Sequence, residues 1–180
     1  MKKFDIQDIN TSEYWDTHQT AMDFGLRQKK YLEIAGMGDS IVELGCGLSP
    51  MLFNADEFAH KVGVDFSVET IKQAKELYKD VLYVHSDVCF TPFANESFDV
   101  VVAGEVIEHM ENPMMLLNEM RRICKTGGKI ILSTPHLEFQ DPEHLWEFDE
   151  EDFKVLGFET ETVKSDRFKG REYVFAWIKK

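Results

Sequence analysis

The stretch IVELGCGLSP, residues 41–50, decides the fold, because an apolar strand breaks here into closely spaced glycines. The strand ends at Leu44, and Gly45 and Gly47 follow it almost directly. Glycines at such a turn let the backbone approach a ligand closely and present N–H groups to it. Pro50 is well placed to start a helix. The stretch therefore predicts a strand, a ligand-binding turn and a helix.

A carboxylate follows this turn at the end of the next predicted strand. VGVDFS, residues 62–67, is apolar up to Asp65, which is positioned to accept hydrogen bonds from two ribose hydroxyls. A lone glycine-rich turn is a weak signal, but strand, turn, helix, strand and terminal carboxylate together favour an adenosine-binding site. A dinucleotide fold requires a third glycine where Pro50 stands, so another adenosine cofactor is favoured.

Seven short runs predict the strands of one sheet. The predicted strands are Ser40–Leu44, Lys61–Asp65, Val81–His85, Phe98–Ala103, Lys129–Thr134, Phe158–Lys164 and Glu172–Ile178. The first five are unbroken apolar runs separated by helix-length segments, which is typical of parallel strands covered on both faces. The last two are joined only by Ser165–Gly170, too short for a helical crossover, so they must pair antiparallel. We expect an α/β fold: a three-layer, doubly wound, seven-stranded sheet with five parallel strands and a C-terminal antiparallel hairpin.

Helical spacing and capping residues predict the segments between the strands. The predicted helices are Thr20–Ala35, Val68–Lys79 after the cap Ser67, Pro113 to Ile123 after the cap Asn112, and Glu150–Leu156 after the cap Asp149. Serine, asparagine and aspartate at these positions accept hydrogen bonds from N–H groups of the first turn. Gly127 and Gly128 mark the stop after the third of these helices.

Composition excludes several function classes. The 180 residues carry 33 acidic and 20 basic side chains, and a formal charge of −13 disfavours nucleic-acid binding, which needs a basic face. The length fits one domain, residues 1–180. Three cysteines without a CxxC pair indicate a reducing cytoplasm, and no apolar stretch approaches the about 20 residues of a membrane span. We expect a cytoplasmic protein with a small-molecule substrate and no membrane partner, and the oligomeric state stays open.

The chain resembles the class I S-adenosylmethionine-dependent methyltransferases over nearly its whole length. The motifs that carry the resemblance are VELGCG (42–47), VGVDFS (62–67), HSDVCFTPF (85–93), FDVVVAGEVIEHM (98–110) and GGKIILSTP (127–135). The antiparallel terminal hairpin is also a signature of that family. Many members carry glycine at the position of Ser49, and Pro50 is an unusual residue there.

This resemblance implies S-adenosylmethionine as the cofactor, with a Rossmann-like fold. The residues it implies for binding are Glu43, Gly45, Cys46 and Gly47 beside the methionine part, with Glu105; Asp65 on the ribose; Phe66 beside the adenine; Asp87 on the adenine amino group; and Val88 through its backbone N–H. The alternative interpretation makes Asp87 a solvent-facing residue and Phe66 and Val88 members of the core.

GEVIEHM, residues 104–110, begins where the fourth strand ends, on the crevice side of an open α/β sheet. If the segment is helical, Glu105, Glu108 and His109 share one face. Two carboxylates and an imidazole suit Mg²⁺, Mn²⁺ or Zn²⁺, which could lower the pKa of a substrate hydroxyl. His109 could instead act alone as a general base, or all three could be structural. The catalytic candidates are therefore His109, Glu105 and Glu108.

A closer resemblance bears on the metal. EVIEH is similar to the corresponding segment of ubiquinone-pathway O-methyltransferases, which implies a divalent ion on the two glutamates and the histidine. It is also similar to that of enzymes methylating the terminal 2′-hydroxyl of small RNAs, which use one more histidine. His144, within residues 133–153, stands at the position of that added ligand.

Two segments are expected to cover the site. Class I folds place a variable N-terminal segment over the cofactor, which here is residues 1–35. Tyr14 and Trp15 are candidate aromatic contacts to substrate or cofactor, and the alternative for Trp15 is packing against the sheet. The second is the possible substrate loop 136–148, which contains His136 and Trp146. We expect a methyltransferase acting on a small molecule, at oxygen. The alternatives are a metal-dependent RNA 3′-end 2′-O-methyltransferase and a non-catalytic cofactor-binding regulator or partner subunit.

Overall fold

The computed structural model describes residues 24–48, 51–136, 143–165, 167 and 170–180 of the chain. The described helices are α1 (Phe24–Ala35), α2 (Val68–Leu77), α3 (Pro113–Ile123) and α4 (Glu150–Lys154), with a single 3₁₀ turn at Ile107–His109. The strands are β1 (Ser40–Leu44), β2 (His60–Asp65), β3 (Leu82–His85), β4 (Phe98–Gly104), β5 (Cys124–Pro135), β6 (Glu159–Lys164) and β7 (Glu172–Lys179).

The seven strands form one sheet in the order β3-β2-β1-β4-β5-β7-β6. Strands β1 to β5 are parallel, and β7 runs antiparallel to both β5 and β6. The predicted fold is therefore confirmed, with one detail added: β7 lies inside the sheet and β6 forms its edge. Because the carboxyl ends of the five parallel strands meet at one edge, the loops that leave them converge there.

Both faces of the sheet are covered, which explains the unbroken apolar runs of the parallel strands. One core lies between the sheet and helices α1 and α2, with Tyr31 and Ile71 among its buried members. The second core lies on the other face, where Leu116 of α3 and Phe153 of α4 pack against the sheet. The chain thus has three layers.

The predicted caps are confirmed at three helices. The Ser67 hydroxyl accepts a hydrogen bond from the Thr70 N–H at 3.1 Å, and the Asn112 side chain accepts from the Met114 N–H at 3.2 Å. Asp149 caps α4 and exchanges reciprocal hydrogen bonds with Asp152. Each side chain satisfies N–H groups that have no partner within the helix.

Several predicted boundaries are wrong. No helix follows the glycine-rich turn directly, because residues 51–59 form turns, and Pro50 lies outside the described residues. Helix α2 ends at Leu77 rather than Lys79, and α4 ends at Lys154 rather than Leu156. Strand β5 begins at Cys124, before the expected glycine stop, because Cys124 already pairs with Phe98 across a register shift. The predicted residues 20–23 of the first helix lie outside the described part.

Within the described part of the chain, every helix is too short or too polar to cross a bilayer.

Candidate functional site

The turn after β1 is hydrogen-bonded to the end of β2. The N–H groups of Gly45 and Cys46 both donate to the carbonyl oxygen of Val64, at 2.8 and 2.9 Å. Gly45 has a φ of +71°, and a Cβ at this position would overlap the side chain of Val106. Position 45 therefore requires glycine for two reasons: its backbone has a positive φ, and Val106, in the turn that follows β4, packs directly against it.

Asp65 ties this turn to the start of α2. Its Oδ2 accepts from the Gly47 N–H at 2.9 Å, and its Oδ1 accepts from the Ser67 N–H at 2.8 Å. Burial raises the pKa of Asp65, while these two N–H groups oppose the rise. Each carboxylate oxygen can accept more than one hydrogen bond, so the carboxylate can also accept from hydroxyls of a ligand.

The other predicted cofactor residues of β1 and β2 are presented differently. Glu43 is buried on β1, next to the turn. Cys46 turns its thiol into the core, where a Cβ on Gly63 would lie 2.9 Å from the sulfur, and burial raises the pKa of this thiol well above its ordinary value. Cys46 can thus offer a ligand only its backbone. Phe66 is half-buried, and its carbonyl oxygen lies 2.8 Å from Nε2 of His85.

The loop after β3 lies beside the end of β2, since the Ser86 N–H donates to the Asp65 carbonyl at 3.0 Å. Asp87 is exposed, and its Oδ1 accepts from the Cys89 N–H at 2.8 Å. The Val88 side chain is buried in the core, whereas its N–H has no acceptor among the described residues. The predicted adenine residues therefore adjoin the predicted ribose residue.

Glu105 does not lie on a common helical face with Glu108 and His109, so that prediction is wrong. Only Ile107–His109 form a helical turn, and Glu105 precedes it with a φ of +58°, a conformation uncommon for glutamate. Its carboxylate points elsewhere: Oε1 accepts from the Ser133 hydroxyl at 2.6 Å, and Oε2 lies 3.7 Å from the guanidinium of Arg27.

Three residues near the Glu105 carboxylate were not predicted from the sequence: Arg27, Tyr31 and Ser133. The Tyr31 and Ser133 hydroxyls are 2.5 Å apart, and burial raises the pKa of Tyr31, which keeps the phenol protonated. Arg27 is buried one helical turn before Tyr31 on α1. In the sequence, an arginine four residues before an aromatic residue is only a weak indication of a functional site. Arg27 and Tyr31 come near Glu105 only when the chain is folded.

Glu108, His109 and His144 converge. Each offers a ligand atom, and these atoms all lie within 4.8 Å of one another. The Glu108 carboxylate is buried and forms no hydrogen bond of good geometry among the described residues, but the Thr134 hydroxyl lies close enough to oppose the rise of its pKa. Burial, and then the charge of Glu105, raise the pKa of Glu108 well above its ordinary value. Three of the four predicted metal ligands thus meet, and Glu105 is not part of the group.

The loop that carries His144 is anchored to the same turn. The N–H groups of Leu145 and Trp146 donate to the carbonyl oxygen of Glu108, at 2.8 and 3.2 Å. The indole N–H of Trp146 donates to the Met110 carbonyl oxygen at 2.8 Å, and the indole stays half exposed. His144, Leu145 and Trp146 of the predicted substrate loop therefore border Glu108.

His136, a predicted substrate contact, directly follows β5, forms an isolated bridge with Phe148 and donates its N–H to the Glu172 carbonyl oxygen at 2.9 Å. Tyr14 and Trp15 lie outside the described residues.

Comparison with known proteins assigns the family. Residues 42–132, just over half of the chain, match the family described as methyltransferase domain. The chain is 30% identical over 103 residues to a protein from Mycolicibacterium smegmatis named as a probable S-adenosylmethionine-dependent methyltransferase, covering 55% of this chain and 39% of that protein. It is 33% identical over 101 residues to demethylmenaquinone methyltransferase from Renibacterium salmoninarum, covering 56% of this chain and 40% of that one.

A solved structure extends the likeness of fold. The N-methyltransferase NodS from Bradyrhizobium japonicum superposes with a TM-score of 0.71 at 18% identity, covering 87% of this chain and 96% of that chain. The matched region is about two fifths of the length of the curated relatives. The family match, the sheet topology and the glycine-rich turn bound to Asp65 all indicate the same family. The chain belongs to the methyltransferase domain family, among the class I S-adenosylmethionine-dependent methyltransferases.

Proposed function

We propose that the protein transfers the methyl group of S-adenosylmethionine to an oxygen atom of a small molecule. The observation that carries this proposal is the meeting of Glu108, His109 and His144 at the edge of the sheet that also holds the glycine-rich turn and Asp65. O-methylation requires a base beside a bound cofactor. The cradle is the set of residues that would bind that cofactor, from the glycine-rich turn to Asp65 and the loop after β3.

The residues of the cradle fit the cofactor. Asp65 can accept from the ribose hydroxyls, and the exposed carboxylate of Asp87 can accept from the adenine amino group. The N–H of Val88, which has no acceptor among the described residues, suits a ring nitrogen of the base. Negative charge on Glu43 and Glu105 complements a ligand that carries ammonium and sulfonium groups. When bound, this cofactor supplies a methyl group on positively charged sulfur, ready for in-line displacement.

His109 is the proposed general base. Because the Glu143 carbonyl can only accept, Nδ1 of His109 must donate to it, at 3.2 Å, which leaves Nε2 unprotonated in the neutral ring. Nε2 takes the proton of the acceptor hydroxyl while the oxygen forms its bond to the methyl carbon. The electron pair of the breaking carbon–sulfur bond stays on sulfur, so charge and atoms balance. Removing that proton is the task the protein must perform, because the leaving group is already activated.

A divalent ion on the same residues is the alternative way to activate the hydroxyl, because an ion bound at Nε2 of His109 would take the place of the substrate proton there. A buried carboxylate without a hydrogen bond of good geometry among the described residues is costly unless something compensates it, and two imidazoles stand within reach. One carboxylate oxygen and two imidazole nitrogens suit Zn²⁺ or Mn²⁺ better than Mg²⁺. Glu108, His109 and His144 would hold the ion, whose chemistry there is to lower the pKa of a hydroxyl.

The acceptor is proposed to be small and partly apolar. Trp146 and Leu145 leave large apolar surfaces exposed beside the turn that carries His109. Aromatic side chains that keep a fixed hydrogen bond, as Trp146 does, make rigid walls for ring-bearing ligands. Relatives named demethylmenaquinone methyltransferase support a small-molecule acceptor.

Methylation of an RNA 3′ end at the 2′-hydroxyl is the second candidate. The approach of His144 to Glu108 and His109 favours it, since the sequence resemblance to those enzymes implies such a histidine. The formal charge of −13 opposes it, because an acidic surface repels phosphates.

Two measurements test the proposal. Calorimetry with S-adenosylhomocysteine should show binding to the wild-type protein, and a screen of catechols, other phenols, alcohols, amines and short RNA ends should show methyl transfer to a small hydroxyl compound. His109→Gln should slow transfer by about 10²-fold or more, whereas the same substitution at His60, an exposed histidine at the start of β2, should not. Cofactor binding without transfer to any acceptor would instead identify a non-catalytic regulator, and transfer only to RNA would identify the second candidate.

A further inference from the structure

Glu119 is a buried carboxylate on α3 that the chemistry above does not use. It lies among apolar side chains of this helix, of which Leu116 and Met120 are fully buried. A charged group in such surroundings must be compensated by hydrogen bonds or an opposite charge. Its partners come from the loop between β3 and β4 and from its own helix.

The carboxylate holds the backbone of that loop directly. Oε1 accepts from the N–H of Thr91 at 2.7 Å and from the hydroxyl of Thr91 at 2.5 Å. Arg122, one turn further along α3, donates to both oxygens of Glu119 at 2.7 Å. The other guanidinium nitrogen of Arg122 donates to the Phe93 carbonyl at 2.7 Å and to the Asn95 side chain at 3.0 Å. One bidentate ion pair thus fixes residues 91–95.

Charge is essential to this contact. Burial alone would raise the pKa of Glu119, but the hydrogen bonds from Arg122 and Thr91 outweigh it and lower the pKa below its ordinary value. A carboxylate that keeps its charge accepts stronger hydrogen bonds than a neutral group in the same place.

The fixed segment continues directly from the predicted adenine residues. The turn before Thr91 is closed by the Phe90 N–H, which donates to the Asp87 carbonyl at 3.1 Å. Strand β3 ends at His85 and β4 begins at Phe98, so no strand pairing holds the residues between them. Asp87 and Val88 thus lie between two anchors: the Ser86 N–H on the Asp65 carbonyl before them and the Glu119 carboxylate on Thr91 after them.

We propose that Glu119, together with Arg122, is a positioning residue that sets the loop 86–95 so that Asp87 and Val88 can recognise an adenine base. This inference rests on the proposed use of S-adenosylmethionine. Glu119 itself touches no part of the cofactor, and it acts through the backbone of Thr91. Its effect should thus fall on the choice of base and not on the methyl-transfer step.

The test compares two ligands that differ only in the base. S-adenosylhomocysteine carries the amino group that Asp87 would accept from, and S-inosylhomocysteine carries an oxygen there instead. A hydrogen bond to a charged group is worth about 1.5–3 kcal/mol, so the wild-type protein should prefer the adenosine compound by about tenfold or more. Calorimetry gives both dissociation constants, and their ratio does not depend on how much of the protein is folded.

In Glu119→Gln the ratio should fall to about threefold or less, since the neutral amide holds Thr91 and Arg122 more weakly. Arg122→Gln, whose side chain is one-third exposed, should fold and lower the ratio in the same direction. Asp99→Asn is the matched control: Asp99 accepts hydrogen bonds from Ser40 and Lys125 at the opposite edge of the sheet, so its loss should reduce stability without changing the ratio.

The outcomes are distinct. An unchanged ratio in both Glu119→Gln and Arg122→Gln would overturn the inference, as would an equal fall in Asp99→Asn. A wild-type protein that binds S-adenosylhomocysteine without discriminating between the bases would overturn it too, while leaving the cofactor assignment intact. A wild-type protein that binds neither compound would overturn the proposed function itself.

Discussion

Nδ1 of His109 lies 3.2 Å from the carbonyl oxygen of Glu143, and this contact fixes which ring nitrogen carries the proton. The same ring lies 5.0 Å from the ring of His144, and its Nε2 is 4.0 Å from the Glu108 carboxylate. The unprotonated Nε2 therefore faces the carboxylate and is the atom available to a substrate proton or a metal ion.

Replacing His109 should impair methyl transfer and spare cofactor binding. We expect His109→Ala to lower kcat by about 10²- to 10⁴-fold, the range that a positioned general base contributes. The dissociation constant of the variant for S-adenosylhomocysteine, measured by calorimetry, should stay within a factor of three of the wild-type value. A factor of three corresponds to a change in binding free energy of about 0.6 kcal/mol. A variant that lost both properties together would show that His109 supports the cradle rather than the reaction.

Replacing Gly45 should weaken cofactor binding through shape alone. Gly45→Ala adds a Cβ that overlaps Val106 and strains a backbone with a φ of +71°. The matched control is Gly127→Ala, where φ is +83° and no atom lies within 4 Å of the added carbon. Both substitutions carry the backbone cost of about 1 kcal/mol, but only the first should weaken S-adenosylhomocysteine binding by more than tenfold in calorimetry. Equal effects would contradict the role of the turn.

Metal binding should depend on His144 and not on Glu105. Titration of the chelator-treated protein with Mn²⁺ or Zn²⁺ alone should show one site, lost in His144→Ala and retained in Glu105→Gln, because the Glu105 carboxylate is held by Ser133 beside Arg27. Full methyl-transfer activity after rigorous chelation would rule the ion out of catalysis and leave His109 as the base.

The stability that Glu119 contributes should depend on pH. Its pKa lies below the ordinary value of 4.5, so between these two values the unfolded chain binds more protons than the folded protein, and stability rises with pH. At pH 7 we expect Glu119→Gln to unfold with a free energy lower than that of the wild type by about 1.5–3 kcal/mol. Urea denaturation at about pH 3 should show a smaller difference, because below pH 4.5 the unfolded wild-type chain takes up a proton at this carboxyl that folding must release. A difference that grew in acid would contradict this assignment.

The sheet could be predicted closely because its strands are buried on both faces. Strand β1 was predicted with its exact bounds, and β4 only one residue short. The turn after β4 could not be, since the spacing of Glu105 and Glu108 is that of a helix. No sequence pattern reports a positive φ at a glutamate, which here accompanies side-chain contacts with the distant residues Ser133 and Arg27. Contacts between residues far apart in the chain were accessible only where a family motif named them, as for His144.

Glu108 performs two tasks with two different parts of one residue. Its carbonyl oxygen receives the N–H groups of Leu145 and Trp146, whereas its carboxylate faces the two imidazoles. Any side chain at position 108 keeps the carbonyl, so the reactive group can be exchanged while the loop stays in place. The side chain at position 108 and the anchoring of the loop can therefore be changed independently. Position 108 is thus a suitable place to redesign the chemistry of this protein while the substrate loop keeps its position.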